Sequence, residues 1–283
     1  MKKQVEIFWT GGYDSTFRIC QLSQKNVIII PYYMSQRSSE EYELNAINKI
    51  RNKLLNNKNT KAEIREIIIV DGDKYLNEDK QTNIAHEEIL KKDFLGRQYI
   101  YLANFAKSHK GVELSIHKDD VAIRIINKYG SLKIENSEYG EYFIIDRQQS
   151  NENIIKLFGD EHFPLAQYTK LQMRDEFIKM GLEDIIDDTW FCYHPIDGKP
   201  CGECLTCAFA IQEGMSFRFS EEALQRYKYS TYNIYQKIKE RLDMMKIDAD
   251  ECKTEISIIL DGNSINVKTK RVTDIKNILT YQY

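Results

Sequence analysis

Two short segments of this sequence carry residues whose types and spacing suit ligand chemistry. In the first, VEIFWTGGYDSTFRI at residues 5–19, an apolar run stops at Gly11 and Gly12 and is followed at once by Asp14 and Ser15. The residues after Ser15 recur at helical spacing, which argues against a hairpin turn at the glycines. A strand, a glycine turn and a helix place free backbone N–H groups at the carboxyl edge of a parallel sheet, where anions bind. The segment therefore predicts a phosphate-binding loop.

The order of residues in this loop narrows its type. No lysine follows a second glycine, which excludes a GxxxxGK loop, and there is no third glycine for the dinucleotide fingerprint. TGGYDS, from Thr10 to Ser15, resembles the SGGxDS pyrophosphate loop of the ATP-pyrophosphatase superfamily, with one hydroxyl residue replacing another. The two glycine amides can wrap phosphate oxygens because no Cβ blocks the approach. The predicted ATP-binding residues are Thr10, Gly11, Gly12, Asp14, Ser15 and Thr16.

The second segment is FCYHPIDGKPCGECLTC, which has the spacing C-x8-C-x2-C-x2-C. Its cysteines are Cys192, Cys201, Cys204 and Cys207, whereas Cys20 and Cys252 stand alone. Four soft ligands in this spacing suit tetrahedral Zn²⁺ at a closed, structural site. An iron–sulfur cluster is the rival, since four cysteines also hold those. His194, between the first two cysteines, could replace one ligand.

The first 120 residues alternate between β-branched or aromatic runs and helical patterns. Strands are predicted at VEIFW, VIIIPYY, IREIIIV and VELSI, with helices at STFRICQLSQ, SEEYELNAINKIRNKLL and RQYIYLANFAKSH between them. This alternation predicts an α/β fold with a parallel, Rossmann-like sheet. A further helix is predicted from Lys170 to Met180, and another from Ser220 towards Met245, followed by a β-hairpin around Asp261-Gly262. We predict three parts: an α/β domain at 1–185, a zinc-binding helical lobe at 186–218, and a small α+β appendage at 219–283.

Composition limits the function classes. The chain has 283 residues and a net charge of -3, which gives no basic field of the kind that draws a protein onto nucleic acid. Its apolar runs are too short for a membrane span, and the N-terminal run contains Glu6, which argues against a signal peptide. Clustered cysteines favour metal in a reducing compartment. We therefore expect a cytoplasmic enzyme with a small-molecule substrate; a homodimer is one assembly that the sequence allows.

With both segments placed, the chain resembles the 7-cyano-7-deazaguanine synthase family of queuosine biosynthesis, a zinc-containing branch of the ATP-pyrophosphatase superfamily. The resemblance covers about residues 4 to 215. It rests on TGGYDST, on Tyr33, Gln36, Glu43 and Leu44, on Gly96-Arg97-Gln98, on Ile116-His117-Lys118-Asp119-Asp120, on Pro164-Leu165 with Lys170, and on the four cysteines with Cys192-Tyr193. Its two ends are specific and its middle is loose. The fold it implies is an adenine nucleotide alpha-hydrolase-like domain.

The resemblance implies an ATP-dependent C–N ligase. Such an enzyme adenylates a carboxy-deazaguanine, ammonia gives the amide, and a second ATP gives the nitrile; the cofactors are Mg²⁺ and Zn²⁺. Lys170 and Arg97 would neutralise developing phosphate charge, and Asp14 would cap its helix or act through Mg²⁺. The residues indicated for the substrate, or for Mg²⁺ in the case of the two acids, are Gln36, Asp119 and Asp120.

Departures from the family pattern leave alternatives open. The family's Tyr-Pro-Asp-Cys-Arg segment has only a loose counterpart at Asp146-Arg147, and the appendage of about 65 residues is not part of the ordinary family form. These changes suggest a divergent member, for example a deazaguanine synthase-like protein of an anti-phage defence system. Two other readings are a tRNA thiolation enzyme of the same superfamily and a non-catalytic binding module.

Overall fold

The computed structural model describes residues 2–35, 39–230, 255–260 and 263–268. They belong to two compact units, residues 1–190 and residues 191–283. The predicted boundaries at residues 185 and 218 stay predictions. Within the described residues no helix is both long enough and apolar enough to cross a membrane.

The first unit contains strands and helices in alternation. Its described strands are β1 (Lys3–Phe8), β2 (Val27–Ser35), β3 (Glu63–Ile64), β4 (Ile68–Asp71), β5 (Val112–Glu113), β6 (Leu132–Ser137), β7 (Gly140–Ile145) and β8 (Glu161–His162). Its described helices are α1 (Tyr13–Ser23), α2 (Glu40–Leu55), α3 (Asp73–Leu76), α4 (Lys80–Leu90), α5 (Gln98–Ala106), α6 (Val121–Tyr129), α7 (Glu152–Phe158) and α8 (Lys170–Lys179), followed by a 3-10 helix at Glu183–Asp188.

Six of these strands form one sheet in the order β3-β2-β1-β5-β8, with β4 also pairing with β2. Each pairing in this sheet is parallel, from Lys3 opposite Val27 to Glu113 opposite His162. The predicted α/β fold with a parallel sheet is therefore confirmed, and its strand order is consistent with a Rossmann-like fold. The chain runs outwards from β1 to β2 and returns on the other side of β1 at β5. This reversal of direction creates a crevice between the carboxyl ends of β1 and β5.

Helix α1 is fixed firmly against the sheet, and it carries the glycine loop with it. Phe17, Ile19 and Leu22 have no exposed surface. Arg18 donates from Nε and Nη2 to both carboxylate oxygens of Glu113 in β5, at 2.7 Å each. Both side chains are at most 5% exposed, so this paired contact aligns α1 with β5 in a setting where an unpaired charge would be costly.

Some elements of the first unit were not predicted from the sequence pattern. Helices α4 and α6 are two of them, and the mixed stretch near residues 130–164 contains an antiparallel hairpin of β6 and β7 followed by α7. The hairpin meets the main sheet through a bridge between Phe143 and Phe163. The apolar residues of this hairpin do not recur at a clear strand or helix spacing, so the sequence did not predict its two strands.

The second unit has separate helical and strand segments in its described residues. Its helices are α9 (Leu205–Ala210) and α10 (Glu221–Lys228), joined by a π-helical turn at Ile211–Met215 and a 3-10 turn at Ser216–Arg218. The predicted cap of α10 is present, because the Ser220 hydroxyl accepts a hydrogen bond from the Ala223 N–H. Strands β9 (Glu255–Leu260) and β10 (Asn263–Lys268) pair antiparallel, as predicted. Asp261-Gly262 and the predicted helix beyond residue 230 lie outside the described residues.

One buried acid makes stability depend on pH. Glu161 in β8 is 2% exposed. Burial raises the pKa of Glu161 from 4.5 to about 8, and the negative charge of Asp160 adds to the rise. The folded protein therefore keeps this proton at pH 7, whereas the unfolded chain releases it. The contribution of protonated Glu161 to the free energy of unfolding is full below about pH 4.5 and is lost as the pH rises towards about 8.

We expect Glu161→Gln to increase the free energy of unfolding by about 3 kcal/mol at pH 7, because glutamine has no proton to lose on unfolding. Urea unfolding at pH 5, 6, 7 and 8 measures the difference, which should grow with pH. The exposed Glu87 on α4 provides the matched control, and Glu87→Gln should leave the curves unchanged. A gain that is the same at every pH would contradict the assignment.

Candidate functional site

The glycine loop lies beside a cavity at the crevice between β1 and β5. The cavity has a volume of about 160 Å³. Its lining comes from the loop, from the carboxyl ends of β1 and β2, from α5 and from the segment after β5. The lining residues are Phe8, Thr10, Gly12, Tyr13, Asp14, Ser15, Tyr32, Met34, Gln98, Tyr99, Tyr101, Leu102, Leu114, Ser115, Ile116 and Asp120. Open α/β sheets bind ligands at this position.

The two glycines of the loop differ in backbone conformation. Gly11 has φ +70, and a Cβ there would lie 2.7 Å from the Glu43 carbonyl oxygen on α2. Gly12 is extended, with φ -74 and ψ 168, and is the N-cap of α1. The Thr16 N–H already donates to the Gly12 carbonyl, so the helix begins directly at the loop and its first amides remain near the cavity.

Polar groups of the loop satisfy one another through long hydrogen bonds. Thr10 Oγ1 accepts from the Gly12 N–H and contacts Ser15 Oγ, both at 3.3 Å. Ser15 Oγ also accepts from the Thr10 N–H at 3.3 Å and donates to the Gly12 carbonyl at 3.4 Å. Hydrogen bonds of this kind are usually about 2.7–3.2 Å long, so these contacts are weak. An anion could replace them at low cost because its oxygens accept from the same N–H and O–H groups.

We expect Gly11→Ala to destabilise the protein by more than about 2 kcal/mol, because strain at positive φ adds to a clash with backbone. Gly181 is a matched control: its φ is +66, but nothing lies within 4 Å of an added Cβ. Gly181→Ala should cost only the strain, about 1 kcal/mol. Thermal and urea unfolding of the two variants measure this difference. Equal losses would show that the contact of the loop with α2 does not constrain Gly11.

Asp14 and Lys170 form an ion pair across a long stretch of sequence. Lys170 Nζ, from the first turn of α8, lies 3.0 Å from each carboxylate oxygen of Asp14. The side chains are 14% and 24% exposed, so the pair is partly screened from water. Asp14 therefore does not cap α1, since Gly12 has that position. The structure brings together two residues that the sequence proposed for the same reaction.

The acids after β5 differ in their surroundings. Asp120 lines the cavity and caps α6 by accepting a hydrogen bond from the Ala122 N–H at 2.7 Å. Burial raises the pKa of Asp120 and the charge of Asp14 adds to the rise, while His117 and Lys170 oppose it. Asp119 is exposed, and its N–H donates to Nδ1 of the buried His117. Asp120 is thus the acid of this pair that faces the site.

Arg97 and Thr16 lie away from the cavity lining. Arg97 is exposed at the start of α5, where its neighbour Gln98 contributes to the lining instead. Thr16 is fully buried, and its hydroxyl accepts a hydrogen bond from the Trp9 indole N–H at 3.0 Å. The structure thus places Thr16 in the core below the loop. Gln36 lies outside the described residues.

Sequence reasoning overlooked Tyr13, the variable residue of TGGYDS. It is 5% exposed, lines the cavity and donates from its hydroxyl to the Lys170 carbonyl at 3.3 Å. The aromatic residues of α5 that line the cavity, Tyr99 and Tyr101, were assigned only to a helix. Their helical spacing gave no sign of which side chains would reach the cavity.

The four cysteines of the second unit converge on one point. All four are buried, and their Sγ atoms lie within 4.8 Å of one another. Cys201 and Cys207 have their sulfurs 3.8 Å apart, and Cys192 and Cys204 have theirs 4.0 Å apart. A tetrahedral ion with metal–sulfur bonds of about 2.3 Å holds its ligands about 3.8 Å apart. The spacing therefore suits a single zinc ion, because a polynuclear iron–sulfur cluster would separate the sulfurs further.

Backbone groups support this cluster. N–H groups of Glu203 and Cys204 donate to Cys201 Sγ, each at 3.3 Å. Hydrogen bonding with Cys192 contributes most to lowering the pKa of Cys201. Gly202, at φ +82, lies so close to α10 that an added Cβ would be 2.0 Å from the Ala223 carbonyl oxygen. Arg226 of α10 donates from Nε to the Cys201 carbonyl at 2.8 Å, so the loop and α10 pack as one structure.

Comparison with known proteins assigns no family. No protein-family model matches the chain. It is 28% identical over 103 residues to the ribonucleoside-diphosphate reductase NrdEB subunit alpha of Bacillus subtilis (strain 168) and, to the same extent, to the subunit of that name from Bacillus phage SPbeta. The aligned residues make up 36% of this chain and 9% of each reductase subunit. A match of this size gives no basis for assigning reductase activity.

Proposed function

We propose that this chain is an ATP-dependent enzyme of the PP-loop superfamily that adenylates the carboxylate of a 7-carboxy-7-deazaguanine-like substrate. The observation that carries the proposal is the loop from Thr10 to Ser15. It combines a glycine turn, a helix that begins beside the cavity and hydroxyls with only long hydrogen bonds, where the order of strands in the sheet reverses. Lys170 supplies a cation next to the loop. Such an arrangement suits a leaving pyrophosphate group.

The proposed reaction uses two successive activations by ATP. A carboxylate oxygen of the substrate attacks the α-phosphorus of ATP, and the bond to pyrophosphate breaks. Ammonia then attacks the acyl carbon, AMP leaves and a proton is lost, which gives an amide. The amide oxygen then attacks the α-phosphorus of a second ATP and displaces pyrophosphate, and loss of AMP and of the two amide protons leaves the nitrile. In both activations the amides of Gly11 and Gly12 and the hydroxyls of Thr10 and Ser15 would donate to phosphate oxygens, and Lys170 would balance their charge.

Different residues would hold the two proposed metal ions. Asp14 and Asp120 are the carboxylates of the loop region that could hold Mg²⁺, which would neutralise phosphate charge. The four cysteines would hold a structural Zn²⁺ in the second unit. The cavity volume of about 160 Å³ is below the roughly 300–1,000 Å³ of typical ligand sites, so nucleotide binding would require the crevice to widen.

The direct test is incubation with ATP, Mg²⁺, ammonia and 7-carboxy-7-deazaguanine, followed by mass spectrometry of AMP, amide and nitrile. We expect AMP together with the nitrile, and no AMP from Asp14→Ala. AMP without nitrile would indicate a changed product, as expected of a divergent defence protein. No AMP with any deazaguanine carboxylate would overturn the proposal.

Metal content separates the proposed enzyme from the tRNA thiolation alternative. One zinc per chain supports the synthase-like reading, whereas brown protein containing iron would support thiolation. The distances of 3.8 Å between the Cys201 and Cys207 sulfurs and 4.0 Å between the Cys192 and Cys204 sulfurs favour the first outcome.

A further inference from the structure

Tyr13 contacts Lys170 at both ends of the lysine. The Tyr13 hydroxyl donates to the Lys170 carbonyl oxygen at 3.3 Å. The Lys170 ammonium lies 5.4 Å from the centroid of the Tyr13 ring, which is within the range of a cation–π contact. One side chain of the glycine loop therefore contacts the backbone and the charge of the same residue.

The start of α8 is also fixed by hydrogen bonds within its own first turn. Thr169 and Gln172 form a capping box, in which each side chain accepts a hydrogen bond from the backbone N–H of the other. The Tyr13 ring packs edge-on against Phe177, about two turns further along α8, and the ring centroids are 5.5 Å apart. The backbone of Lys170 thus has little freedom, while its ammonium lies between the Asp14 carboxylate and an aromatic face.

From these contacts we propose that Tyr13 is a positioning residue for Lys170. The inference rests on the proposed function, in which Lys170 serves phosphate groups of ATP. Phosphate oxygens and Asp14 compete for the same ammonium, so the lysine must change partners when nucleotide binds. The Tyr13 ring gives the ammonium a constant contact during this exchange, and the hydroxyl holds the helix end from which the side chain extends. Long lysine side chains lose much rotamer freedom on ordering, and a preset position reduces that loss.

A purely structural role for Tyr13 makes a different prediction. If the ring only packed α1 against α8, phenylalanine would replace it fully, because the contact with Phe177 needs no hydroxyl. The hydroxyl contact to the Lys170 carbonyl is the part that packing does not require. Tyr13→Phe keeps the ring and removes this contact, and Tyr13→Leu removes both contacts.

The first test needs no nucleotide. Acylation of surface lysines with acetic anhydride, followed by peptide mass spectrometry, gives a rate for Lys170 relative to Lys179. Lys179 lies on the same helix, is 70% exposed and pairs with Glu176, so it serves as the internal reference. We expect Tyr13→Leu to raise the relative rate at Lys170 about three- to tenfold, because the cation–π contact is lost. Tyr13→Phe should raise it less, and an unchanged ratio in both variants would overturn the proposal.

The second test measures AMP formation by the same variants. We expect Tyr13→Phe to lower kcat several-fold with little change in the KM for ATP, since a displaced cation weakens transition-state contacts more than binding. Thermal unfolding establishes that Tyr13→Phe is folded. Wild-type kcat in both variants would overturn the positioning role while leaving the proposed function intact. If the wild-type protein forms no AMP, the proposed function fails, and the acylation ratio alone decides the role of Tyr13.

Discussion

We expect the wild-type chain to bind one zinc ion per molecule and the Cys204→Ser protein to lose it. Serine offers a poor ligand, and three remaining sulfurs leave the tetrahedral site incomplete. Binding of structural zinc contributes about 10–16 kcal/mol in small zinc-finger peptides, so its loss should unfold the cysteine loop. Because Arg226 and Ala223 of α10 pack on that loop, hydrogen exchange should accelerate in residues 201–207 and in α10 together.

Cys20 provides the control for this experiment. It is fully buried in α1 of the first unit and has no place in the four-cysteine cluster. Cys20→Ala should keep one zinc per chain by elemental analysis and should leave exchange in α10 unchanged. Zinc retained at full occupancy in Cys204→Ser would refute the four-cysteine site. Iron instead of zinc in the wild-type protein would show that the cysteines hold a different metal centre.

For the proposed ATP-dependent activity, Lys170→Met should reduce kcat/KM for ATP by about two to three orders of magnitude, the range found when one preorganised charge-stabilising group is removed. Methionine keeps much of the length and apolar volume of the lysine stem, and so the aromatic contact with Tyr13 keeps a partner. The loss should appear mainly in kcat if the ammonium acts on the departing pyrophosphate. Rates of AMP release at saturating and limiting ATP measure both constants.

The matched control is Lys179→Met, in the last turn of the same helix. Its ammonium is exposed and bonds Glu176 at 3.0 Å, so we expect wild-type rates. Asp14→Asn is informative as well, because it frees Lys170 from its carboxylate partner without removing the lysine. Wild-type kcat/KM in the Lys170→Met protein would exclude this lysine from the proposed reaction.

Local patterns were enough to predict the parallel sheet and the glycine loop. The apolar run before Gly11 and the helical spacing after Ser15 define β1 and α1 from residues adjacent in sequence. The cysteine cluster was equally local, since four ligands within 16 residues need only one loop. In each case the information that decides the structure lies within a few turns of chain.

Contacts between distant residues were harder to predict. Lys170 and Asp14 are separated by 156 positions, and their ion pair depends on how β8 and α8 return to α1. The burial of Thr16 depends on the depth of Trp9 in the core, which no spacing rule gives. The mixed region near residue 130 forms a separate hairpin, so its side chains do not follow the period of the main sheet.

The close approach of Gly202 to Ala223 also limits where this protein can be shortened. A chain ending at residue 218, the predicted end of the zinc-binding lobe, would lack α10. The carbonyl of Cys201 would then lose its bond from Arg226, and the surface of Gly202 that now lies against backbone would face water. A fragment that includes the four-cysteine cluster should therefore extend at least through Lys228, and metal-binding measurements on the cluster should begin from such a fragment or from the full chain.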